Sequence, residues 1–235
     1  MKVPAFGARA CGGTEASIVS RPKGARDADY EARRRDLLRG MSRHLMRRDS
    51  PRPSLRELAA AAGVSVPTLR HYFGARPQVI DAIFEEGLRL GRDGLAAQAG
   101  SEKPLAESIP DYVDALIRAL RTPREVVLGD MFAVGLGEGL IDRAVSGSAL
   151  RHILDPTIAT LETRLRAHIA RGEMIDTDVR AAAMMLAAPL LLATLHQDQM
   201  GGADETPMDL ALMGGTIGQA FLRAFATNAP QEENR

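Results

Sequence analysis

The chain has 235 residues, 45% of them hydrophobic and 4% aromatic, and its 30 basic and 30 acidic residues cancel to a net charge of zero. This length fits a small domain joined to a larger one, and the apolar fraction is sufficient for a sizeable core. The single cysteine, Cys11, excludes an internal disulfide bond, and the N-terminus has no apolar segment of the kind found in secretory signals. We therefore expect a protein that works in the reducing cytoplasm.

The neutral total hides an uneven distribution of charge along the chain. Residues 1–80 contain 16 Lys or Arg and 7 Asp or Glu, whereas residues 81–235 contain 14 and 23. A basic N-terminal part is the electrostatic signature of a nucleic-acid-binding segment, because Lys and Arg are attracted to phosphates. The two parts of the chain are therefore expected to have different functions.

The chain is predicted to begin with a disordered basic tail, residues 1–29, which is rich in Gly, Ala, Ser and Arg and lacks an apolar period. Its basic residues either reach phosphates or a minor groove, or contact nothing specific. A helix is predicted over residues 31–48, where arginines surround one apolar face formed by Leu37, Leu38, Met41 and Leu45. Two prolines predict a loop over residues 49–54.

Residues 54–80 have the pattern of two short helices joined by a tight turn, with a third helix following. Ser54 and Glu57 have the spacing of a capping box, and Gly63 stands where the chain must turn with positive φ. Ser65 caps the second helix, and its first turn accommodates Pro67. Val64, Leu69 and Phe73 are predicted to pack inward, and the outward face consists of Val66, Thr68, Arg70 and His71. This pattern predicts a helix-turn-helix, a DNA-binding unit.

From about Arg33 to Phe84 the sequence resembles the DNA-binding domain of the TetR-type (tetracycline-repressor-like) regulators, through the motif LxELAxxAGVSxxTLxxxF. Two positions depart from the family pattern: residues 70–73 read Arg-His-Tyr-Phe instead of Tyr-x-His-Phe, and Arg76 replaces the usual lysine. We expect Arg70 to read a base or clamp a phosphate, and Arg76 to contact a phosphate. The predicted DNA-binding residues are Arg33, Arg34, Ser54, Ser65, Val66, Pro67, Thr68, Arg70, His71, Tyr72 and Arg76.

After Pro77 the apolar periods are helical throughout, so we predict an all-α fold. The helix opened by Pro77 connects a three-helix DNA-binding domain, residues 30–84, to a C-terminal helical bundle, residues 85–228, which a polar tail follows. The glycines at 87, 91 and 94 make the end of this helix soft or closely packed. Further helices are predicted over residues 104–120, 123–136, 140–154, 155–172, 178–196 and 207–227, with a helix end at GLGEG (135–139) and a loop over 197–206.

The last two predicted helices are too apolar for a solvent-facing surface, so each is buried either in a dimer interface or in the core of a monomer. In the proteins that this chain resembles, the corresponding helix pair forms a four-helix dimer interface. The predicted interface residues are Leu186, Leu190, Met213, Ile217 and Phe221. The longest uncharged run, residues 181–195, is too short to span a bilayer, and no membrane partner is expected.

The resemblance also implies a small-molecule pocket in the acidic, C-terminal part of the chain, between helices. The candidate pocket residues are Asp130, Phe132, Glu138, His152, His168, Met184 and Met185. A metal site formed by His196, Asp198 and other histidines is disfavoured, because the histidines lack the i, i+4 spacing of a helical ligand pair. The GLGEG stretch lacks the strand and the Lys-Ser/Thr of a phosphate loop.

We therefore expect no enzymatic activity, cofactor or metal. The sequence predicts a homodimeric transcriptional regulator, a ligand-responsive repressor that binds a palindromic double-stranded DNA operator. The alternative is a helical interaction or scaffold protein that has lost specific DNA binding, and a helical enzyme is the more distant third.

Overall fold

The computed structural model describes residues 23–47, 52–122 and 127–227. These residues form α1 (Lys23–Leu45), α2 (Leu55–Ala61), α3 (Val66–Phe73), α4 (Arg76–Ala99), α5 (Leu105–Arg121), α6 (Leu128–Ile141), α7 (Arg143–Ala149), α8 (Asp155–Ala170), α9 (Val179–Thr194), α10 (Gly202–Glu205) and α11 (Leu210–Phe225). A π-helical turn, Leu150–Leu154, joins α7 to α8, and a second, Leu195–Gln199, follows α9. Within the described ranges the one β-type pairing is an isolated bridge, Met174 with Ala226, so the predicted all-α class is confirmed.

The predicted helix-turn-helix is present, and its local hydrogen bonds explain why it forms. Ser54 Oγ accepts from the Glu57 backbone N–H at 3.3 Å, and Glu57 Oε2 accepts from the Ser54 backbone N–H at 2.7 Å. This reciprocal capping box satisfies two N–H groups at the start of α2. Gly63 has φ of +67° and turns the chain into α3, a conformation that glycine adopts without a Cβ clash.

Helix α1 begins at Lys23, not at residue 31 as predicted, so residues 23–29 of the predicted tail are helical. The segment has no apolar stripe, and the periodicity used for the prediction detects only helices that bury one face. Its two alanines, its arginine and its lysine nevertheless favour helix by intrinsic propensity. Residues 1–22, the predicted end of this helix at residue 48 and residues 49–51 of the following loop lie outside the described residues.

Helix α4 belongs both to the helix-turn-helix part of the molecule (α1 to α3) and to the C-terminal helical bundle (α5 to α11). Its first three turns bury Val79, Ile80, Ile83 and Phe84, each no more than 1% exposed, in a core shared with α1. Its later turns pack against α6, α7, the first π-helical turn and α8. The predicted boundary at residues 84 and 85 therefore falls inside one continuous helix.

The glycine-rich stretch 135–139 was predicted to end a helix, but α6 continues through it to Ile141. A Cβ on Gly135 would lie 2.6 Å from Ile153 Cδ1, so the glycine allows the π-helical turn to pack closely on α6. The predicted start of this helix at residue 123 lies outside the described residues. The predicted loop over 197–206 contains α10 and part of the second π-helical turn. The prediction missed both because they are short and two closely spaced glycines interrupt their helical pattern.

The run Val179–Gln199 is continuous helix of 21 residues with a mean hydropathy of 1.5, which is long and apolar enough for a membrane span by length and composition. The 15-residue uncharged segment therefore underestimated the helix. Core helices of globular proteins pass the same test, and 44% of its most apolar 18-residue window is buried inside the chain. Its inner face packs against α5, α8 and α11.

The close approach of α1 and α2 predicts opposite outcomes for two glycine-to-alanine substitutions. A Cβ on Gly40 would lie 2.8 Å from the Ala61 carbonyl oxygen and 3.2 Å from Ala62 Cα, which are backbone atoms that cannot rotate away. We expect Gly40→Ala to lower the free energy of unfolding by about 1–3 kcal/mol. The matched control Gly91→Ala, in α4, meets no atom within 4 Å, and it should raise stability by about 0.5–1 kcal/mol. Urea unfolding followed by circular dichroism measures both, and equal stability of Gly40→Ala and the parent would contradict the prediction.

Candidate nucleic-acid interface and effector cavity

The recognition helix of the helix-turn-helix is α3, and its inner face anchors it to the core. Leu69 is fully buried and Phe73 is 9% exposed. At its start, Ser65 Oγ accepts from the Thr68 backbone N–H at 3.2 Å, and Pro67 occupies the first turn, where a missing N–H is not needed. Gly74, with φ of +88°, ends the helix. These contacts fix which side of α3 faces solvent.

The solvent-facing side of α3 carries Pro67, Thr68, Arg70 and His71, all exposed. Arginine and histidine side chains donate to phosphates and to guanine, and the threonine hydroxyl reads either groove edge. Val66 was predicted to face outward, but it is half-buried against the edge of the core because the first turn of α3 lies close to that core. The exposed side is therefore narrower and more polar than predicted.

Helix α1 runs beside the C-terminal half of α3. The rings of Tyr30 and Tyr72 stack with centroids 4.8 Å apart, and the Arg34 guanidinium lies 5.1 Å from the centroid of Phe73. Arg33, the neighbouring residue on α1, is exposed. Tyr30 lies in the segment that the sequence placed next to the disordered tail, and no periodic signal identified its contact with α3.

Arg76, which the sequence predicts to contact a phosphate, has protein partners for its guanidinium in this structure. Its Nη1 and Nη2 donate to Glu138 Oε2 and Oε1 at 2.8 and 2.5 Å, and its Nε donates to the Pro53 carbonyl at 2.8 Å. The hydrogen bonds with Glu138 raise the pKa of Arg76 although burial opposes this. Glu138 itself, with a side chain 4% exposed, is the ion-pair partner of Arg76, and it also lines a cavity of about 290 Å³ between the end of α1 and α6.

A cavity of about 260 Å³ lies between α4, α5, α6, the first π-helical turn and α8. Its wall is mostly apolar, and the residues that line it are Gly87, Leu88, Leu90, Gly91, Gly94, Leu95, Gln98, Ala119, Leu128, Met131, His152, Ile153, Pro156 and Thr157. His152, on the π-helical turn, is the predicted pocket residue found in this wall. Its Nε2 lies 3.3 Å from Asp81 Oδ1 on α4.

The remaining predicted pocket residues do not line this 260 Å³ cavity, and their contacts show where each one lies. Asp130 accepts a hydrogen bond from Gln199 Nε2 at 2.7 Å and lines the same 290 Å³ cavity as Glu138. Phe132 lines a second, more open apolar cavity of about 380 Å³ between α6, the first π-helical turn and α9. Met184 and Met185 are exposed on α9. Sequence spacing could not separate these positions from the cavity wall, because the wall is assembled from five elements.

His168 is fully buried in a polar network that ties α8 to α5. Its Nδ1 lies 2.6 Å from Glu173 Oε2 and its Nε2 lies 2.8 Å from Ser108 Oγ. Burial lowers the pKa of His168, so the imidazole is favoured in its neutral form, although the hydrogen bond with Glu173 opposes the shift. The network satisfies buried polar groups next to the α5 N-terminus, which gives His168 a structural role and not a place in the cavity wall.

Three of the five predicted dimer-interface residues face the core of their own chain. Leu186, Leu190 and Phe221 are between 0% and 5% exposed, and Met213 and Ile217 are half-buried. Because α9 is apolar on all sides, its sequence could not show which side the monomer buries. The outward side of α9 carries Ala181, Met184, Met185, Ala188 and Leu192.

No group of three His, Cys, Asp or Glu side chains suited to a metal ion occurs among the described residues. His196, considered above as a metal ligand, instead has Gln197 Nε2 at 2.8 Å from its Nδ1.

No protein-family model matches the sequence, and no curated protein matches it. Solved structures match the fold over most of the chain. A protein described as a TetR-family transcriptional regulator from Mesorhizobium loti has a TM-score of 0.65 at 15% identity, covering 84% of this chain and 98% of that chain. The SmeT–triclosan complex has a TM-score of 0.62 at 19% identity, covering 84% and 93%.

A third structure, the fatty acid degradation regulator FadR from Bacillus halodurans, has a TM-score of 0.57 at 17% identity, covering 83% of this chain and 94% of that chain. SmeT is the repressor of the Stenotrophomonas maltophilia multidrug efflux pump SmeDEF. The chain therefore has the fold of the TetR-family transcriptional regulators, which confirms the resemblance seen in the sequence. The matched proteins are regulators, not enzymes.

The apolar wall of the 260 Å³ cavity predicts that it takes up a neutral apolar compound. We expect the fluorophore N-phenyl-1-naphthylamine to bind the parent protein, because its rings would leave water for an apolar surface. Gly91→Leu should weaken this binding, since Gly91 lines the cavity and a Cβ there meets no atom within 4 Å. The matched control Gly100→Leu, an exposed glycine directly after α4 with equally open surroundings, should bind as the parent does. Fluorescence titration gives the result, and equal affinity of Gly91→Leu and the parent would place the fluorophore elsewhere.

Proposed function

We propose that this protein is a DNA-binding transcriptional regulator that recognises its operator as a homodimer and responds to a small apolar effector. The observation that carries the proposal is the exposed polar side of α3, with Arg70 and His71, held outward on a capped helix-turn-helix. The excess of basic residues over residues 1–80 supports it, because attraction to phosphates supplies most of the affinity of such units. The TetR-type fold agrees with this function.

The case for a homodimer rests on geometry and on the surface of α9. One helix-turn-helix contacts few bases, and two recognition helices reach successive major grooves when about 34–36 Å separates them. The outward stripe of α9, with Met185 60% and Leu192 65% exposed, is apolar at the i, i+3, i+4 spacing of one helix side. A second copy of the chain would cover both stripes at once around a two-fold axis.

The case for an effector rests on the position of the 260 Å³ cavity. Its wall includes α4, which also carries the core contacts of the DNA-binding head. A compound bound there contacts the same helix that sets the orientation of α3. One of the matched structures, the SmeT–triclosan complex, is a regulator of this fold together with a small molecule. Coupling of this kind is reciprocal, so operator DNA and effector would alter each other's affinity by one factor.

DNA recognition is tested by selecting duplexes from a random library with the parent protein and measuring affinity at several salt concentrations. An enriched palindrome and a steep fall of affinity with salt are expected. Arg70→Ala should weaken binding to the selected duplex by about 1–3 kcal/mol, because an arginine contact to guanine or phosphate is lost. The control Arg92→Ala, an exposed arginine on α4 away from α3, should bind normally. Failure to enrich any sequence would favour the scaffold alternative.

Dimerisation is tested by placing a charge on the outward side of α9. Met185→Asp and Leu192→Asp should give folded monomers, because a carboxylate in an apolar interface loses its hydration without a partner. These monomers should bind the selected duplex weakly, since one head retains half of the contacts. The control Leu90→Asp, at a 44% exposed leucine on α4, should remain dimeric. Analytical ultracentrifugation distinguishes the states, and dimeric Met185→Asp and Leu192→Asp would show that this stripe is not the interface.

A further inference from the structure

The contact between Arg76 and Glu138 joins two parts of the molecule across 62 residues of sequence. They are the proposed DNA-binding head, α1 to α3 with the first turns of α4, and the effector half, the later turns of α4 through α11. Arg76 opens α4, directly after the recognition helix, and Glu138 lies near the end of α6. Their side chains form two parallel hydrogen bonds at 2.8 and 2.5 Å, and they are 18% and 4% exposed. A paired fork of this kind fixes orientation as well as distance, because both donors of the planar guanidinium are aligned.

The pair also holds the chain just before the helix-turn-helix. Arg76 Nε donates to the carbonyl of Pro53, the residue that precedes the N-cap of α2. One guanidinium therefore connects the entry to α2, the start of α4 and the end of α6. All three nitrogens that it offers have a protein acceptor, and a buried carboxylate left without its partner would be costly. A phosphate contact by Arg76 would require breaking this arrangement.

A second arginine from the head strengthens the same junction. Arg52 Nε lies 3.5 Å from Glu138 Oε2, and Arg52 Nη2 lies 3.7 Å from Asp142 Oδ2. Arg52 adopts φ of +58°, a left-handed conformation that non-glycine residues adopt only where their surroundings hold them. Two head arginines thus face two carboxylates at the end of α6. This contact pairs the basic N-terminal part of the chain with its acidic C-terminal part.

Helix α6 contacts α4 at two places that serve different purposes. Met131, in the wall of the effector cavity, packs against α4 at Gly87, and a Cβ on Gly87 would clash with the methionine sulfur and methyl group. Glu138 follows seven residues later, two helical turns along the same side of α6, and holds Arg76. A shift of α6 at the cavity end therefore displaces the carboxylate that positions the head.

We propose that Glu138 is a positioning residue for operator recognition, which acts by locking Arg76 and with it the orientation of the recognition helix. Arg76 works inside the protein and makes no contact with phosphate. The inference rests on the proposed DNA binding, and it adds the means by which the effector half controls the head. Loss of the lock loosens the head without removing any group that contacts DNA.

The test uses the full chain with Glu138→Gln and Arg76→Lys, and with two probes: the duplex selected by the parent, and a scrambled duplex of equal length. Both variants should bind the selected duplex about tenfold or more weakly, in the usual range of coupling between sites. Affinity for the scrambled duplex and the salt slope should stay within about twofold of the parent, because the phosphate contacts are unchanged. The control Glu162→Gln, whose 11% exposed carboxylate pairs with Arg166 and Arg180 inside the effector half, should behave as the parent.

Arg76→Lys separates the two roles that Arg76 could have. A lysine keeps the charge for a phosphate but loses the paired fork and the bond to Pro53. Binding of the selected duplex as tightly as the parent by Arg76→Lys would overturn the proposal. The proposal would also be overturned if Arg76→Ala had a shallower salt slope and lost affinity equally for both duplexes. Should Glu138→Gln not fold, Arg76→Lys decides the question alone.

Hydrogen exchange without DNA gives an independent readout. In Glu138→Gln and Arg76→Lys the amides of residues 52–73 should exchange faster than in the parent, whereas those of α8 and α9 should not change. Unchanged exchange over residues 52–73 would overturn the lock. Selection that enriches no sequence would count against the proposed DNA binding, and faster exchange in the head would still establish the lock, so the two failures are distinguishable.

Discussion

The structure depends on the burial of α4, because this helix supplies the core of the head and one wall of the effector half. Ile80, Ile83 and Phe84 lose nearly all of their exposed surface, and each contributes about 1.5–3 kcal/mol by leaving water. The head, α1 to α3, is too small to bury a large core of its own. It is stable because α4 completes its core, and the effector half holds α4 in place by packing on its later turns. The two halves therefore share a structural element and cannot move independently.

The ion pair of Arg76 with Glu138 fixes an orientation that the apolar packing of α4 leaves free. Hydrophobic packing between α4 and its neighbours allows small rotations at little cost, because the attraction has no preferred angle. The paired hydrogen bonds of Arg76 with Glu138 have a fixed geometry, and the low exposure of Glu138 reduces the screening by water. The positive head and the negative effector half attract each other at a defined point. A neutral net charge for the whole chain thus conceals an internal complementarity.

The surface of the effector half exposes several large apolar side chains on α6 and α9. Leu136, Leu140, Ile141 and Leu192 are each more than half exposed, and the first two line the open cavity beside α9. Single exposed leucines are common, but a continuous apolar surface on two neighbouring elements usually marks a place that another molecule covers. The cavity beside α4 is a different site, because its wall is formed by α4, α5, α6, the first π-helical turn and α8. A subunit and a small effector would therefore occupy separate sites.

The sequence by itself determined the features that depend on local hydrogen bonds and helical period. The capping box of Ser54 with Glu57, the turn at Gly63 and the cap at Ser65 each involve residues at most three apart, and all were predictable. The buried faces of α1 and α5 followed from their spacing. The exposed side of α3 followed for Thr68, Arg70 and His71, but not for Val66, whose burial depends on how close the core lies.

Only the tertiary structure decided what depends on partners distant in sequence. Helix α9 is apolar on every side, so its sequence could not show that Leu186 faces inward and Met185 outward. The sequence predicts a phosphate contact for Arg76, and only the fold shows its ion pair with Glu138, 62 residues away. The cavity wall draws single residues from five elements, and of the predicted set His152 alone lies in it. The apolar period of a sequence predicts that one face of a helix is buried, but only the folded chain shows which element packs on that face.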